Sequence, residues 1–247
     1  MLYRHSAIFL TLLLCSSHAQ ADKLHIAVAS NFSEAIKLIS AGFEKDSGHE
    51  VILSFGSTGK HYAQITHGAP FDLFFAADVR RPKLLDETGV AVAGTRFTYA
   101  IGRIALWSPQ PGLVDEDGQV LQQGNYTHLA IANPKLAPYG KAAQQVLEAR
   151  GLWSALQEQL VRGENIGQTF QYVRSGNAEL GFIAYSQIRR PGQAIEGSYW
   201  LVPQQLYTPI EQQAVILKDS AAARAFIAYI QGPEGQGLIR GFGYAVP

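Results

Sequence analysis

Cysteine is almost absent from this sequence, and charge of neither sign is in excess. The one cysteine, Cys15, lies within the first 21 residues, so the chain beyond them can form no disulfide, thiolate metal site or cysteine nucleophile. The 20 lysine and arginine residues balance 20 aspartate and glutamate residues. A balanced chain offers no basic surplus for nucleic acid and no charge block for a membrane surface, so we expect neither as a partner.

Several motifs of catalysis and metal binding are absent as well. Beyond residue 21 there is no H-E-x-x-H or G-x-S-x-G sequence, and no G-x-G-x-x-G sequence opens a helix. The histidines are scattered, and His61 and His67 lie six residues apart, which does not place them on one helical face. The sequence therefore predicts neither an enzyme nor a direct metal-cation site.

Residues 1–21 have the pattern of a cleavable signal peptide. A short basic start precedes an apolar stretch over residues 7–14, and Ala19-Gln20-Ala21 fits the small-x-small cleavage pattern. The apolar stretch is too short to span a membrane. Leu14 stands before Cys15 where a lipoprotein would have a small residue, so lipidation at Cys15 is the less favoured alternative. We expect cleavage after Ala21 and export to the periplasm.

The first third of the remaining chain alternates predicted strands and helices. The strands are 23–29, 51–55 and 72–77, and Asn31 with Glu34 resembles a capping box at the start of the first helix. This β-α-β-α-β order predicts right-handed crossovers and a parallel sheet, with its loops gathered at the carboxyl edge.

A second α/β series follows. It contains a strand-like segment over 99–107, a strand at 128–132, helices at 140–150 and 152–161, and strands at 180–185 and 214–217. Strand-like segments near residues 100 and 208 join the two series, which predicts two lobes with a two-stranded hinge and a ligand cleft between them. The predicted division is 1–21 for the signal peptide, 22–101 with 208–247 for lobe 1, and 102–207 for lobe 2.

The turn at residues 54–60, Ser-Phe-Gly-Ser-Thr-Gly-Lys, lies between a predicted strand and helix. It is not a nucleotide loop, because Ser54 stands where that motif needs glycine and His61 where it needs serine or threonine. A hydroxyl-rich turn at a helix N-terminus still offers free backbone N–H groups to an anion.

Three other loops also precede predicted helices, and all four carry neutral donors. They contain Ser30-Asn31, Ser57-Thr58, Tyr139 and Asn165-Ile166. A fully ionised dianion needs only donors, whereas a protonated phosphate also needs an acceptor for its O–H. The absence of a carboxylate from these loops therefore favours a sulfate-like or molybdate-like tetrahedral oxyanion over phosphate.

A series of short motifs runs through the chain in a characteristic order. These are Val28-Ala29-Ser30-Asn31-Phe32, the turn at 54–60, Gly68-Ala69-Pro70-Phe71-Asp72-Leu73-Phe74, Asn133-Pro134 with Pro138-Tyr139-Gly140, Leu180-Gly181-Phe182, and Gly232-Pro233 with Gly241-Phe242-Gly243. In order and spacing the chain resembles the periplasmic molybdate-binding proteins of ABC importers over almost its whole length.

The resemblance implies an α/β, two-lobed type II periplasmic-binding fold that closes on molybdate or tungstate. It implies a monomeric receptor without cofactor or catalysis, which passes the ion to a membrane permease. The oxyanion contacts of the family fall on Ser30 with Asn31, Ser57 with Thr58, Tyr139, and the backbone N–H of Ile166.

The chain departs from some family members at one position. Those members supply a tyrosine hydroxyl where this chain has Ala184. Tyr185 is next, but adjacent residues of a strand point to opposite faces, so the role does not transfer to it. Asn31 and Tyr139 instead match the members that use an asparagine in the first loop and a tyrosine in the third.

Three other functions remain as alternatives. A receptor for sulfate, thiosulfate or phosphonate is the nearest. An iron(III) receptor of the same fold would need converging tyrosinates or carboxylates, and adjacent paired tyrosines are missing. An exported hydrolase or transferase would need a base beside Ser57, and the four loops contain no histidine.

Overall fold

The computed structural model describes residues 22–246, so the predicted signal peptide lies outside the described residues. In this part of the chain, none of the helices has both the length and the apolar character needed to cross a membrane. The strands are β1 (Lys23–Ala29), β2 (Glu50–Gly56), β3 (Leu73–Phe75), β4 (Phe97–Gly102), β5 (Ile104–Ser108), β6 (Leu129–Ala132), β7 (Leu160–Gly163), β8 (Leu180–Ala184), β9 (Ser198–Leu201) and β10 (Ile210–Ile216).

Helices connect and cover these strands. They are α1 (Ser33–Ser47), α2 (Thr58–Thr66), α3 (Arg80–Glu87), α4 (Val120–Gln123), α5 (Pro138–Ala149), α6 (Ile166–Arg174), α7 (Tyr185–Ile188), α8 (Ala221–Gln231) and α9 (Pro233–Gly241). Short 3-10 turns lie at Ser30–Phe32, Gln157–Gln159 and Gln204–Leu206.

The strands form two sheets with the same plan, which confirms the predicted two-lobed α/β architecture. Lobe 1 is built on the order β2-β1-β3-β10-β4 and lobe 2 on the order β7-β6-β8-β5-β9. In each lobe the first three of these strands are parallel, and the fourth is antiparallel to both of its neighbours. That fourth strand, β10 or β5, is the first strand after the chain crosses from the other lobe.

The chain crosses between the lobes twice. The first crossing is at Arg103, where the strand-like segment predicted over 99–107 divides into β4 and β5 of different sheets. The second lies between β9 and β10. The predicted lobe boundaries, between 101 and 102 and between 207 and 208, fall within or next to these segments.

Each lobe has its own apolar core. In lobe 1 the face of α1 that carries Ile36, Ile39 and Phe43 packs on the sheet and is buried. A fully buried side chain of this size contributes about 1.5–3 kcal/mol relative to an exposed one. The cores therefore hold the loops at the carboxyl edges of both sheets in fixed positions.

Two local predictions are wrong. The helix predicted over 152–161 is replaced by turns, the 3-10 turn at Gln157–Gln159 and the first two residues of the edge strand β7, whose backbone pairs in parallel with β6. Asn31 does not cap α1, which begins after Phe32 without a side-chain cap. Its amide is held by other residues of lobe 1, and Glu34 pairs with Lys37 instead.

Candidate oxyanion-binding site

One cavity between the lobes collects all the residues predicted for the site. It lies at the carboxyl ends of β1, β2, β6 and β7, two strands from each lobe, and encloses a volume of about 10 Å3. Its wall includes Ser30, Asn31, Ser57, Thr58, Tyr139 and Ile166. A volume of this size holds about one water molecule, so the two lobes are tightly closed and must move apart to admit a larger ion.

Three α-helices start at this cavity. Thr58 and Ile166 are the first residues of α2 and α6, and Tyr139 is the second residue of α5. The first N–H groups of a helix have no acceptor within the helix, and the helix dipole adds partial positive charge there. Lobe 1 and lobe 2 therefore both present N–H donors to the same space.

The hydroxyl groups of the second loop are oriented by backbone N–H groups. Ser57 is the N-cap of α2, and its Oγ accepts from the Lys60 N–H at 3.3 Å. Thr58 Oγ1 accepts from the Ala77 N–H at 3.0 Å. Because each oxygen already accepts a bond, its own proton remains for donation to an ion.

Ser30 is engaged differently, because it joins the two lobes. Its Oγ donates to Asn165 Oδ1 at 3.1 Å and accepts from the Gly167 N–H at 3.1 Å. To contact an ion, the hydroxyl must turn its proton away from Asn165.

The side chains of Asn31 and Tyr139 both bond Gln212 of strand β10. Tyr139 Oη accepts from Gln212 Nε2 at 3.3 Å, so its own proton and the backbone N–H of Tyr139 both remain for donation. Asn31 Nδ2 donates to Gln212 Oε1 at 2.7 Å and to Tyr244 Oη at 3.0 Å. Asn31 Oδ1 is buried without a partner.

The cavity is electrically neutral in its side chains. Of the residues that the structure describes, no charged one contributes to its wall. Burial raises the pKa values of the neighbouring Tyr99, Tyr139 and Tyr244, so these phenols stay protonated.

Charged side chains lie at the rim instead, where they link the lobes. Lys60 Nζ is 2.8 Å from Glu164 Oε1 across the cleft. The Gly59 N–H donates to Leu136 O at 2.9 Å, and a Cβ on Gly59 would lie only 3.0 Å from that oxygen. Glycine is needed at this close approach. The lobes are therefore in contact around the cavity.

A larger groove of about 690 Å3 adjoins the cavity and runs toward the hinge. It shares Ala77, Ala137 and Pro138 with the cavity wall. Its charged residues are Arg80, Arg81, Lys135 and Lys141 with Asp78 and Glu211, and Arg81 pairs with Asp78. The excess charge next to the neutral cavity is positive.

Within residues 22–246, no group of three or more histidine, cysteine, aspartate or glutamate side chains is placed to hold a metal ion. His61 is buried behind the second loop, where Nδ1 lies 3.1 Å from Gln64 Oε1. Burial lowers its pKa, which keeps the ring neutral. Tyr185 begins α7, where its ring packs near Tyr199 and Arg103.

Sequence reasoning missed Ala77, Gln212 and Tyr244. Ala77 acts through its backbone N–H, which leaves no mark in a sequence. Gln212 carried a usable signal, because two adjacent glutamines follow Glu211 in a strand whose other residues are apolar, and both glutamines are buried. A buried amide in a strand usually has specific partners.

Comparisons with known proteins agree with this architecture. The family model described as bacterial extracellular solute-binding protein matches residues 24–245. The molybdate-binding protein of Azotobacter vinelandii is 51% identical over 238 residues, which cover 95% of this chain and 94% of the relative. The molybdate-binding protein of Rhodobacter capsulatus is 46% identical, with 92% and 89% covered.

A solved structure agrees as well. The Azotobacter vinelandii periplasmic molybdate-binding protein superposes with a TM-score of 0.88 at 44% identity, covering 91% of this chain and 99% of that chain. This match confirms the predicted fold class. Because the matching family consists of binding proteins, it also confirms the prediction that the chain is not an enzyme. The chain belongs to the bacterial extracellular solute-binding protein family, in which it groups with the molybdate-binding proteins.

Proposed function

We propose that this protein is a periplasmic receptor that captures molybdate, or tungstate, and delivers it to the permease of an ABC importer. The observation that carries the proposal is the convergence of neutral donors from both lobes on one cavity. Ser30, Asn31, Ser57, Thr58, Tyr139 and Ile166 are the proposed contacts. The 51% identity with a molybdate-binding relative supports the choice of ion.

The chemistry of capture follows from these donors. A molybdate dianion loses its hydration shell in the cavity and gains bonds from fixed N–H and O–H groups, each worth about 1.5–3 kcal/mol to a charged acceptor. Buried anions are tolerated when such donors satisfy every oxygen. A protonated phosphate oxyanion would leave its O–H without an acceptor, which disfavours it.

Closure of the lobes is the remaining step. The Ser30, Gly59 and Lys60 contacts across the cleft must break to admit the ion. The Gly59 and Lys60 contacts and the bond from the Gly167 N–H to Ser30 can then re-form around it. We propose that the permease recognises the closed form. No cofactor takes part, since binding and closure need only the donors already described.

Several predictions from the sequence belong to this proposal. Residues 1–21 act as a cleaved signal peptide that directs the protein to the periplasm. Residues 22–101 with 208–247 move as lobe 1 against 102–207 as lobe 2, and the receptor works as a monomer.

A thermal-melt panel with molybdate, tungstate, sulfate and phosphate tests the proposal. Ligand at about a thousand times its dissociation constant stabilises a protein by roughly 4 kcal/mol, which raises the melting temperature by several degrees. We expect this rise with molybdate or tungstate, and a smaller rise with sulfate. No rise with either of the first two contradicts the proposal, and an equal or larger rise with sulfate favours the rival receptor for another tetrahedral oxyanion.

A further inference from the structure

Gln212 contacts residues of both lobes from the hinge strand β10. Its Oε1 accepts from Asn31 Nδ2 at 2.7 Å, and its Nε2 donates to Tyr139 Oη at 3.3 Å. Asn31 lies in the first loop of lobe 1, and Tyr139 lies in the first turn of α5 in lobe 2. One fully buried amide therefore connects two walls of the cavity.

The backbone around Gln212 is shaped for this contact. The pairing of β10 with β4 shifts register between Gln212 and Gln213, and such irregularities re-aim side chains. On β4, a Cβ at Gly102 would overlap Tyr139 Oη and lie 2.7 Å from Gln212 Nε2. The absence of a side chain at Gly102 leaves room for the Gln212–Tyr139 bond.

The hydrogen bonds of this cluster have a second pattern of equal geometry. Turning the Asn31 and Gln212 amides by 180° exchanges nitrogen and oxygen in each. Gln212 Nε2 then donates to Asn31 Oδ1, and Tyr139 Oη donates to Gln212 Oε1. In the first pattern Tyr244 Oη accepts from Asn31 Nδ2, and its proton lies toward Asn31 O and Ser186 Oγ. In the second pattern it donates to Asn31 Oδ1, and Ser186 Oγ still donates to Asn31 O.

Two observations favour this second pattern when an anion is present. In the first pattern the atom of the Asn31 side chain without a partner is the acceptor Oδ1, in a residue that lines the cavity. In the second pattern the amide N–H2 takes its place. Tyr99 Oη, which has one proton, lies 3.1 Å from Ala76 O and 3.0 Å from Gln212 Oε1. The second pattern lets it donate to Ala76 and accept from Gln212.

We propose that Gln212 is a positioning residue of the oxyanion site, coupled to Asn31 so that the bound ion selects the pattern with the Asn31 amide N–H2 toward the cavity. This inference rests on the proposed function. Gln212 does not contact the ion. It fixes the orientation of Asn31 and ties that orientation to the α5 helix that supplies the Tyr139 N–H.

The first test compares Gln212→Met with Gln213→Met. Gln213 is the neighbour on the same strand and is also buried, but it bonds Arg96 and Thr98 away from the cavity. We expect Gln212→Met to raise the molybdate Kd about 10- to 100-fold in calorimetry, the usual effect of losing a bond to a charged group. Gln213→Met should stay within about twofold of the wild type.

The second test follows the amides of the wild-type protein by NMR. We expect the side-chain N–H2 signals of Asn31 and Gln212 to move together when molybdate is added. If Gln212→Met lowers the melting temperature but leaves Kd unchanged, or if neither signal moves, the inference is overturned and the proposed function stands. If the wild type binds no oxyanion, the proposed function itself fails.

Discussion

The cavity and its rim are built from opposite chemistry. Inside, hydroxyls and backbone N–H groups from three helix N-termini face a space without a charged side chain. At the rim, Lys60 pairs with Glu164 and Arg190 lies 3.6 Å from Glu34, and both pairs join lobe 1 to lobe 2. A neutral interior and a charged rim therefore lie side by side in one cleft.

The difference indicates a division of labour. Exposed ion pairs contribute at most about 1 kcal/mol and do not discriminate among anions. Fixed neutral donors contribute more per bond to a buried dianion, and they select by geometry because their positions suit one size of ion. We therefore assign affinity and selectivity to the interior, and a modest contribution to closure to the rim. The following predictions test this assignment.

A carboxylate placed inside the cavity should have the largest effect. Ser57→Asp keeps an N-cap for α2, because aspartate caps as well as serine, but sets a negative charge beside the dianion. Repulsion at about 4 Å costs at least about 4 kcal/mol at an effective dielectric constant near 20, roughly a thousandfold in Kd. Ser57→Asn caps without charge and is the control. If the two variants bind molybdate with equal affinity in calorimetry, the interior of the cavity does not determine affinity.

Loss of one hydroxyl donor comes next. Thr58→Val keeps the volume but removes the O–H, so we expect molybdate binding weaker by about 1.5–3 kcal/mol. The variant also leaves the buried Ala77 N–H without its acceptor, which should lower the melting temperature of the unliganded protein. Thr58→Ser retains the hydroxyl and should bind like the wild type. If valine and serine behave alike in titration, Thr58 contributes only its backbone.

Loss of the ion pair at the rim should change affinity least. Lys60→Met removes the cross-cleft pair, and we expect Kd to rise no more than about fivefold, mainly through faster dissociation. Lys23→Met is the matched control, because Lys23 and Glu50 form an exposed pair of the same 2.8 Å length within lobe 1. Stopped-flow measurement of the molybdate dissociation rate compares the two variants. A large loss with Lys60→Met would place affinity at the rim.

His61 should affect stability and leave binding at neutral pH unchanged. Burial lowers its pKa in the folded protein from the usual 6.5, so below that pH the unfolded chain takes up a proton that the folded protein does not. Its contribution is therefore present above pH 6.5 and is lost as the pH falls toward the folded pKa. Urea unfolding at pH 7.5 and 5.5 should show a smaller difference for His61→Gln than for the wild type. If the free energy of unfolding changes between the two pH values by the same amount in wild type and variant, His61 is not the source of the pH dependence.

The loops of the site could be predicted because their signals are local. Each follows an apolar strand and precedes a helix start with serine, threonine, asparagine or proline, and parallel strands bring such loops to one edge. The exception was 152–161, where apolar residues suited a helix but the chain forms turns and then enters the edge strand β7 at Leu160. From Leu160 on, local preference gave way to pairing with β6, a partner distant in sequence.

The orientation of side chains could not be predicted, because it depends on distant residues. Gln212 bonds Asn31 across 181 positions of sequence, and that bond holds an amide that lines the cavity. The same residue bonds the Tyr139 hydroxyl, 73 positions away in sequence. The sequence identifies the donor residues, but the orientation of each side chain depends on the packing of the hinge.

The central claim is that a neutral cage selects the ion, and competitive calorimetry tests it most directly. The purified protein is titrated with molybdate, first alone and then in the presence of excess sulfate. We predict one molybdate bound per chain, with an apparent affinity that excess sulfate reduces only slightly. Loss of the molybdate signal at sulfate concentrations comparable to molybdate would contradict selection by the cage.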